Sequence, residues 1–305
     1  MNDTLTVTQP ETSAQNPAQE KPMQDMTEAE MDQYRLHRRF DRMGRLIGDD
    51  RMKKLMNSHV MIIGLGGVGS WAAECIARSG VGEISIVDFD DICVTNFNRQ
   101  LHALQGLVGS KKADVVADRL KKINPQAKIN VHSKFYNFET ADEIFAQRPD
   151  YVIDAIDHIT SKTHLLNLCR ERKIPIVSSA GSGGRMDPLK VKVRDLAQTE
   201  NDPLARAVRR ILREKYGFPE KGQWGIQTIY SDEPPTWPAE LKYDNGKGFR
   251  CVCPGNDNPY FNCDSRNLIL GNASFVTGTF GNVAASLVVR DLVGPMERKE
   301  ASPEA

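Results

Sequence analysis

A short apolar segment that ends in a run of glycines constrains the fold of this chain more than any other feature. The residues His59-Val-Met-Ile-Ile have the length and composition of a buried strand, and a helix-like stretch begins at Ser70. Between them, glycines allow the backbone to approach phosphate groups, and the start of a helix favours anions. This pattern predicts a nucleotide site built on Gly64, Gly66, Gly67 and Gly69.

Strand-like and helix-like segments alternate beyond this loop. Strands are predicted at 83–87, 128–132, 151–156, 174–178 and 189–193, and helices at 70–79, 111–123, 141–146, 162–172 and 204–215. Such alternation predicts an α/β fold with a doubly wound, mostly parallel sheet of the Rossmann type. Residues 217–266 are rich in Pro, Gly, Asn and Asp, so we expect long loops there or a small subdomain.

The organisation of the chain follows from composition. Residues 1–30 have no apolar periodicity, which predicts a disordered tail, and a charged helical segment from Met31 leads into the first strand. We expect one domain over residues 31–295. Its nucleotide-binding half would cover about 36–180 and its substrate-side half about 181–295.

The longest apolar stretch, residues 268–293, is interpreted as a buried helix and not as a membrane span. Its small residues suit close packing, so no stable membrane insertion is expected. Six scattered cysteines and the lack of a secretory-type N-terminal segment favour a reducing cytoplasm. Because Lys plus Arg and Asp plus Glu both number 40, any nucleic-acid partner must be met by a local patch.

Charged residues after the second strand favour ATP over NAD. Asp88 ends that strand, where an acidic side chain takes ribose hydroxyls in Rossmann folds. A dehydrogenase has no need for the set that follows, whereas adenylation needs cations for the triphosphate and acidic residues for magnesium. Arg99, Lys112 and Asp157 supply those residue types. The chain is therefore predicted to contain a Rossmann-type ATP-binding domain.

The ordered set of motifs resembles the family of the ThiF and MoeB adenylating proteins and the adenylation domains of ubiquitin-activating enzymes. The likeness runs from about Arg39 to Ser179. It implies that ATP and Mg2+ are used. By this resemblance the ribose would be bound by Asp88 with Asp90 beside it, the phosphates by Asn98, Arg99 and Lys112, and the magnesium ion by Asp157.

The cysteines depart from the sulfur-carrier branch of that family. Its members carry two CxxC pairs for zinc, whereas this chain has Cys251, Cys253 and Cys263. Three thiols at that spacing do not make the usual tetrahedral set, so a structural zinc is not expected. The segment 225–233 contains no cysteine that would accept a thioester.

Further segments are similar to the bacterial tRNA threonylcarbamoyladenosine dehydratases: 39–48, 178–188, 191–202 and 276–281. This resemblance implies ATP-dependent cyclisation of threonylcarbamoyladenosine in tRNA through an acyl adenylate, in a homodimer. It also implies that Arg42 reaches the neighbouring subunit's ATP. A sulfur-relay protein is a further partner that the resemblance allows.

Other functions stay open on sequence alone. The same ATP site would serve an activator of a ubiquitin-like sulfur carrier if an acceptor thiol were present. A dinucleotide-binding scaffold and an NAD-linked oxidoreductase are disfavoured by Arg99, Lys112 and Asp157. The basic helix at 204–215 is interpreted equally well as a tRNA-contacting surface or as a solvated amphipathic face.

Overall fold

The computed structural model describes residues 27–28, 38–239, 241 and 270–296. The chain divides into two compact units, residues 1–41 and 42–305, and the fold below is that of the second. The expected tail, residues 1–30, lies outside the described residues except for 27–28. Helix α1 is Asp41–Ile47 and helix α2 is Asp49–Met56. The predicted continuous helical segment is therefore wrong at Gly48, where a φ of 84° ends the first helix.

A seven-stranded sheet forms the centre of the fold, with the order β3-β2-β1-β4-β5-β7-β6. All neighbours pair in parallel except β6 and β7. The strands are β1 His59–Ile63, β2 Glu83–Val87, β3 Lys128–His132, β4 Tyr151–Asp154, β5 Ile176–Ser179, β6 Val191–Asp195 and β7 Gln227–Ser231.

The winding of the sheet reverses between β1 and β4. In the pairing register, Ile63 lies opposite both Val87 and Asp154. The loops that leave β1, β2 and β4 therefore begin at the same edge of the sheet. In open α/β sheets, ligands bind outside the carboxyl ends of the strands at such a switch point.

Helices cover the sheet and bury its apolar strands, which confirms the predicted doubly wound α/β class. The remaining helices are α3 Gly69–Arg78, α4 Lys112–Ile123, α5 Ala141–Ile144, α6 Ile159–Arg172, α7 Pro203–Tyr216 and α8 Ser274–Val293. One core cluster joins Met61 and Ile63 of β1 to Leu165 of α6 and Val208 of α7. Alternate strand residues point to the opposite face.

Helix α8 corresponds to the long apolar stretch and packs against α3 and the sheet. Phe280 and Ala284 are completely buried, as expected for a core helix. Gly281 permits the closest approach, since an added Cβ would lie 2.5 Å from the carbonyl oxygen of Val68. In the described part of the chain, no helix is both long and apolar enough to cross a membrane.

In the second half, one prediction is wrong and one predicted strand is shifted by two residues. The segment after residue 217 was expected to be loop, yet β7 fills the space between β5 and β6. The predicted strand at 189–193 begins later because Pro188–Lys190 forms a 3-10 turn, capped by the Asp187 side chain. Strand β7 has no apolar alternation of its own, so its pairing partners determine it.

Gly281→Ala is expected to lower the free energy of unfolding by about 2 kcal/mol, because the added methyl forces α8 away from α3. Urea unfolding followed by circular dichroism measures this. Gly271→Ala is the matched control, since its added Cβ would have no heavy atom within 4 Å. Equal stability of the two variants would contradict the close helix contact.

Candidate active site

In the turn after β1, the backbone leaves no room for a side chain at Gly64 and Gly69. Gly64 has a φ of 91°, and a Cβ there would lie 2.7 Å from the carbonyl oxygen of Ala155. A Cβ on Gly69 would lie 1.7 Å from the carbonyl oxygen of Gly64. These two positions therefore permit β1, the start of α3 and the loop after β4 to meet.

The other two glycines differ in the space around them, which is open at Gly66 and closed at Gly67. Within 4 Å, an added Cβ on Gly66 would meet only the Nε2 atom of Gln100, at 4.0 Å. Gly67 lies against Arg99 and Thr277. No side chain caps α3 at Val68. The start of α3 therefore has backbone N–H groups that no side chain caps, and its partial positive charge favours an anion such as phosphate.

Asp88 at the end of β2 holds this loop in place. Its Oδ2 atom accepts a 2.6 Å hydrogen bond from the backbone N–H of Leu65, and its Oδ1 atom accepts one of 2.9 Å from that of Asp90. The carboxylate is 9% exposed. A carboxylate has about four acceptor positions, so these bonds leave capacity for a ribose hydroxyl.

Lys112 lies beside Asp88 and Asp90 at the start of α4. Its Nζ atom is 2.7 Å from the Oδ2 atom of Asp90, and the side chain is almost fully buried. Burial acts to lower the pKa of Lys112, but the negative charges of Asp88 and Asp90 outweigh it and hold that pKa above its ordinary value. Burial raises the pKa of Asp88. The lysine is thus kept charged in a dry environment, where a cation acts strongly on a phosphate.

Arg99 and Asn98 lie on the loop between β2 and α4. The Nη1 atom of Arg99 donates to the carbonyl oxygen of Thr95 at 2.8 Å and to Oδ1 of Asn98 at 3.1 Å. Asn98 also donates from Nδ2 to the carbonyl oxygen of Asn272, at 2.9 Å. Arg99 contacts Gly67, so the structure brings the predicted arginine to the glycine loop.

The two aspartates after β4 have different environments. Asp154 is completely buried, pairs with Lys162 at 2.7 Å and accepts a 2.7 Å hydrogen bond from Ser178. It is therefore a structural charge. Asp157 is exposed, and its negative charge contributes to raising the pKa of Lys112, so the predicted magnesium ligand lies near the predicted phosphate ligand.

Two other predicted features lie away from this cluster. Arg42 is exposed on α1, and among the described residues no hydrogen bond or ion pair joins it to the glycine loop. On α7, Arg209 donates to Thr199 and Arg213 stacks on Trp224, so both are used within the fold. The exposed cations that remain on that helix are Arg206, Arg210 and Lys215.

Sequence reasoning missed three residues that shape the site. Trp71 donates from Nε1 to the carbonyl oxygen of Arg99 at 3.2 Å. Thr277 borders Gly67, and Asn272 holds Asn98. Trp71 follows the glycine loop closely enough to have been suspected. The other two come from more than 170 positions away along the chain. Thr277 lies in the segment 276–281 that resembles the family, but nothing in the local sequence indicates that it borders the glycine loop.

Within the described ranges, no group of three or more His, Cys, Asp or Glu side chains is placed to hold a metal ion. Cys251, Cys253 and Cys263 lie outside those ranges, as does most of residues 240–269. The zinc prediction is therefore not addressed by the structure.

The fold and site define a Rossmann-type protein in which a glycine loop, a buried lysine and carboxylates meet at the sheet's switch point. The chain matches the model of the ThiF family over residues 40–303, and it belongs to that family. It is 37% identical over 267 residues to tRNA threonylcarbamoyladenosine dehydratase of Haemophilus influenzae. That alignment covers 87% of this chain and 96% of the relative.

Solved structures show the same likeness. E. coli tRNA N6-threonylcarbamoyladenosine dehydratase in complex with ATP is 37% identical to this chain with a TM-score of 0.72. Its complex with AMP is 36% identical, with the same TM-score. Each alignment covers 84% of this chain and 94% of that protein.

Lys112→Met is expected to lower the free energy of unfolding by about 3 kcal/mol at pH 7, because it leaves Asp88 and Asp90 without their cation. The pKa of Asp88 is already raised, so this carboxyl takes up a proton above the ordinary range near pH 4. A protonated carboxyl needs no cation, and the deficit should shrink on acidification. Urea unfolding at pH 7 and pH 5 measures it; a deficit that is unchanged at pH 5 would contradict the assignment.

Proposed function

We propose that this protein is an ATP-dependent tRNA threonylcarbamoyladenosine dehydratase. The observation that carries the proposal is the buried, charged Lys112 beside an open glycine loop, in a chain that aligns with nearly the whole length of a dehydratase relative. The relative from E. coli was solved with ATP and with AMP, a substrate and a product of adenylation chemistry.

The reaction begins with the carboxylate of the threonyl group, which attacks the α-phosphorus of ATP. A new O–P bond forms, the bond between the α- and β-phosphates breaks, and pyrophosphate leaves. A neighbouring carbamoyl atom of the same nucleoside then attacks the activated carbonyl carbon. A five-membered ring closes, a proton is lost and AMP leaves, so the net change is loss of water. Proximity within one nucleoside favours this second step without an enzyme nucleophile.

The residues of the site supply binding and electrostatic stabilisation. The uncapped start of α3 and the loop at Gly66 and Gly67 would hold phosphate oxygens. Lys112 and Arg99 would stabilise the charge that develops on the phosphates. Asp88 would accept from the ribose while it keeps the N–H of Leu65.

We also propose that a magnesium ion binds beside these groups. Mg2+ is commonly bound by one or two carboxylates together with substrate phosphates and water. Asp157 offers an exposed carboxylate whose charge acts on Lys112. The ion would neutralise phosphate charge, and Asp157 would orient the ion. The Asp154 carboxylate is not available as a ligand because it is paired with Lys162 and Ser178.

Mass spectrometry of tRNA nucleosides tests the proposal directly. Incubation with the protein and ATP should convert threonylcarbamoyladenosine to a product that lacks one water. Unchanged nucleoside in the presence of active, ATP-binding protein would refute the substrate.

The alternative, activation of a ubiquitin-like sulfur carrier, would instead give adenylation of a Gly-Gly terminus and a trapped thioester. Serine substitutions at Cys251, Cys253 and Cys263 should leave the tRNA reaction intact, because no step needs a thiolate.

Arg99→Ala should reduce ATP–pyrophosphate exchange about a hundredfold without unfolding the protein, because it removes a preorganised cation from the transition state. Asp157→Asn should raise the Mg2+ concentration required for half-maximal exchange. Arg194→Ala, on the exposed side of β6, is the control for loss of a positive charge. Wild-type exchange by the Arg99 variant at saturating ATP would show that its assigned role is wrong.

The homodimer and the role of Arg42 are part of the same proposal. An arginine fork matches phosphate oxygens, and delivery from a second subunit would make activity depend on dimerisation. Arg42→Ala and Lys112→Ala proteins, each nearly inactive, should recover activity when mixed, since a mixed dimer has one site with neither change. Native mass spectrometry verifies subunit exchange. No recovery after exchange would refute the trans arrangement.

A further inference from the structure

The turn from Gln100 to Ala103 lies directly behind the glycine loop. The N–H of Ala103 donates to the carbonyl oxygen of Gln100 at 3.1 Å, and the N–H of Leu101 donates to Ser70 Oγ at 3.3 Å. Ser70 in turn donates from Oγ to the carbonyl oxygen of Gly66 at 2.7 Å. The turn is therefore fastened to the loop that would hold phosphate.

His102, within this turn, has an unusual environment. It is 2% exposed, and neither of its ring nitrogens has a hydrogen-bond partner among the residues that the structure describes. The Oε1 atom of Gln100 is likewise buried without a partner among those residues. Each unpaired buried polar atom costs about 1–3 kcal/mol, so such groups call for an explanation in function or in a further partner.

The charge of Lys112 reaches His102. Burial, and to a smaller extent the positive charge of Lys112, lowers the pKa of His102 to about 4. The imidazole is thus neutral near pH 7. A neutral imidazole has one nitrogen that donates and one that accepts. An acceptor without a partner therefore lies within the field of the ammonium group.

Lys112 has donors to spare. An ammonium group has three N–H bonds, and among the residues that the structure describes its hydrogen bond goes to Asp90. A phosphate that binds at the glycine loop would draw the ammonium group toward it. The orientation of the ammonium group then depends on which acceptor binds the N–H that points away from the phosphate.

We infer that His102 is a positioning residue for Lys112: when nucleotide binds, its unprotonated ring nitrogen accepts a hydrogen bond from the ammonium group, directly or through one buried water. Lys112 is then held between Asp90, His102 and a phosphate oxygen. The inference rests on the proposed function in that ATP is the ligand. It gives one of the two unpaired His102 nitrogens a partner when nucleotide is bound.

A matched pair of substitutions tests this role. His102→Gln keeps an acceptor, and His102→Met has similar size without one. ATP affinity, measured by isothermal titration calorimetry, should fall about tenfold in the Met variant and be largely retained in the Gln variant. Because unpaired nitrogens are removed, His102→Met should not lower the free energy of unfolding of the nucleotide-free protein.

His59→Met is the control. His59 is also buried, in β1, but its Nε2 atom is hydrogen-bonded to Ser85 at 2.7 Å. This variant should lose stability and keep its ATP affinity, the opposite of His102→Met. If His102→Met does not fold, His102→Asn takes its place, because the shorter Asn side chain keeps its acceptor farther from Lys112 than the Gln side chain does.

A double-mutant cycle with Lys112→Ala identifies the partner. If His102 acts through Lys112, His102→Met should have little further effect on ATP affinity in the Lys112→Ala background. The inference would be overturned if the double variant lost ATP affinity by the product of the two single-variant factors, or if the Gln and Met variants bound ATP equally well. Either result would leave the proposed function intact. Wild-type protein that does not bind ATP would overturn both.

Discussion

The close contact between Gly64 and Gly69 is the constraint on which the rest of the site depends. A single Cβ on Gly69 would lie 1.7 Å from a backbone oxygen, so the turn exists only without side chains there. This turn aims the start of α3 at the switch point of the sheet. It also brings the N–H of Leu65 to Asp88, so that one carboxylate joins the loop to β2. Residues far apart in the chain then share one edge of the sheet.

The charges at this edge are arranged before any nucleotide arrives. Lys112 is buried against carboxylates that keep it protonated, although burial alone would favour its neutral form. A cation held in this way needs little reorganisation when phosphate charge develops, and this is the physical basis of electrostatic catalysis. The arrangement carries a cost, since Asp88 and Asp90 lie close together and depend on the same lysine. The candidate site is thus also a place where stability depends on the ion pairs of one lysine.

Burial separates charges that have the same chemistry. Asp154 and Asp157 are three positions apart, yet Asp154 is completely buried with Lys162 and Asp157 faces solvent near Lys112. If Asp154 bound a metal ion, the buried charge of Lys162 would lose its partner, whereas Asp157 can bind one from solvent without this cost. The same reasoning divides the cations of α7, where Arg209 and Arg213 are held by internal contacts and Arg206 and Arg210 remain accessible.

The sequence by itself determined the local units: the strand that ends at Ile63, the glycine turn, the helix after it and the acidic residue that closes β2. It also indicated the family, because those motifs occur in a specific order. Only the tertiary structure decided that β7 completes the sheet, that Asn272 holds Asn98 and that His102 is buried without a hydrogen-bond partner among the described residues. The reason is physical. Backbone conformation depends on neighbours in the chain, whereas the partner and the dielectric environment of a side chain depend on segments that folding brings together.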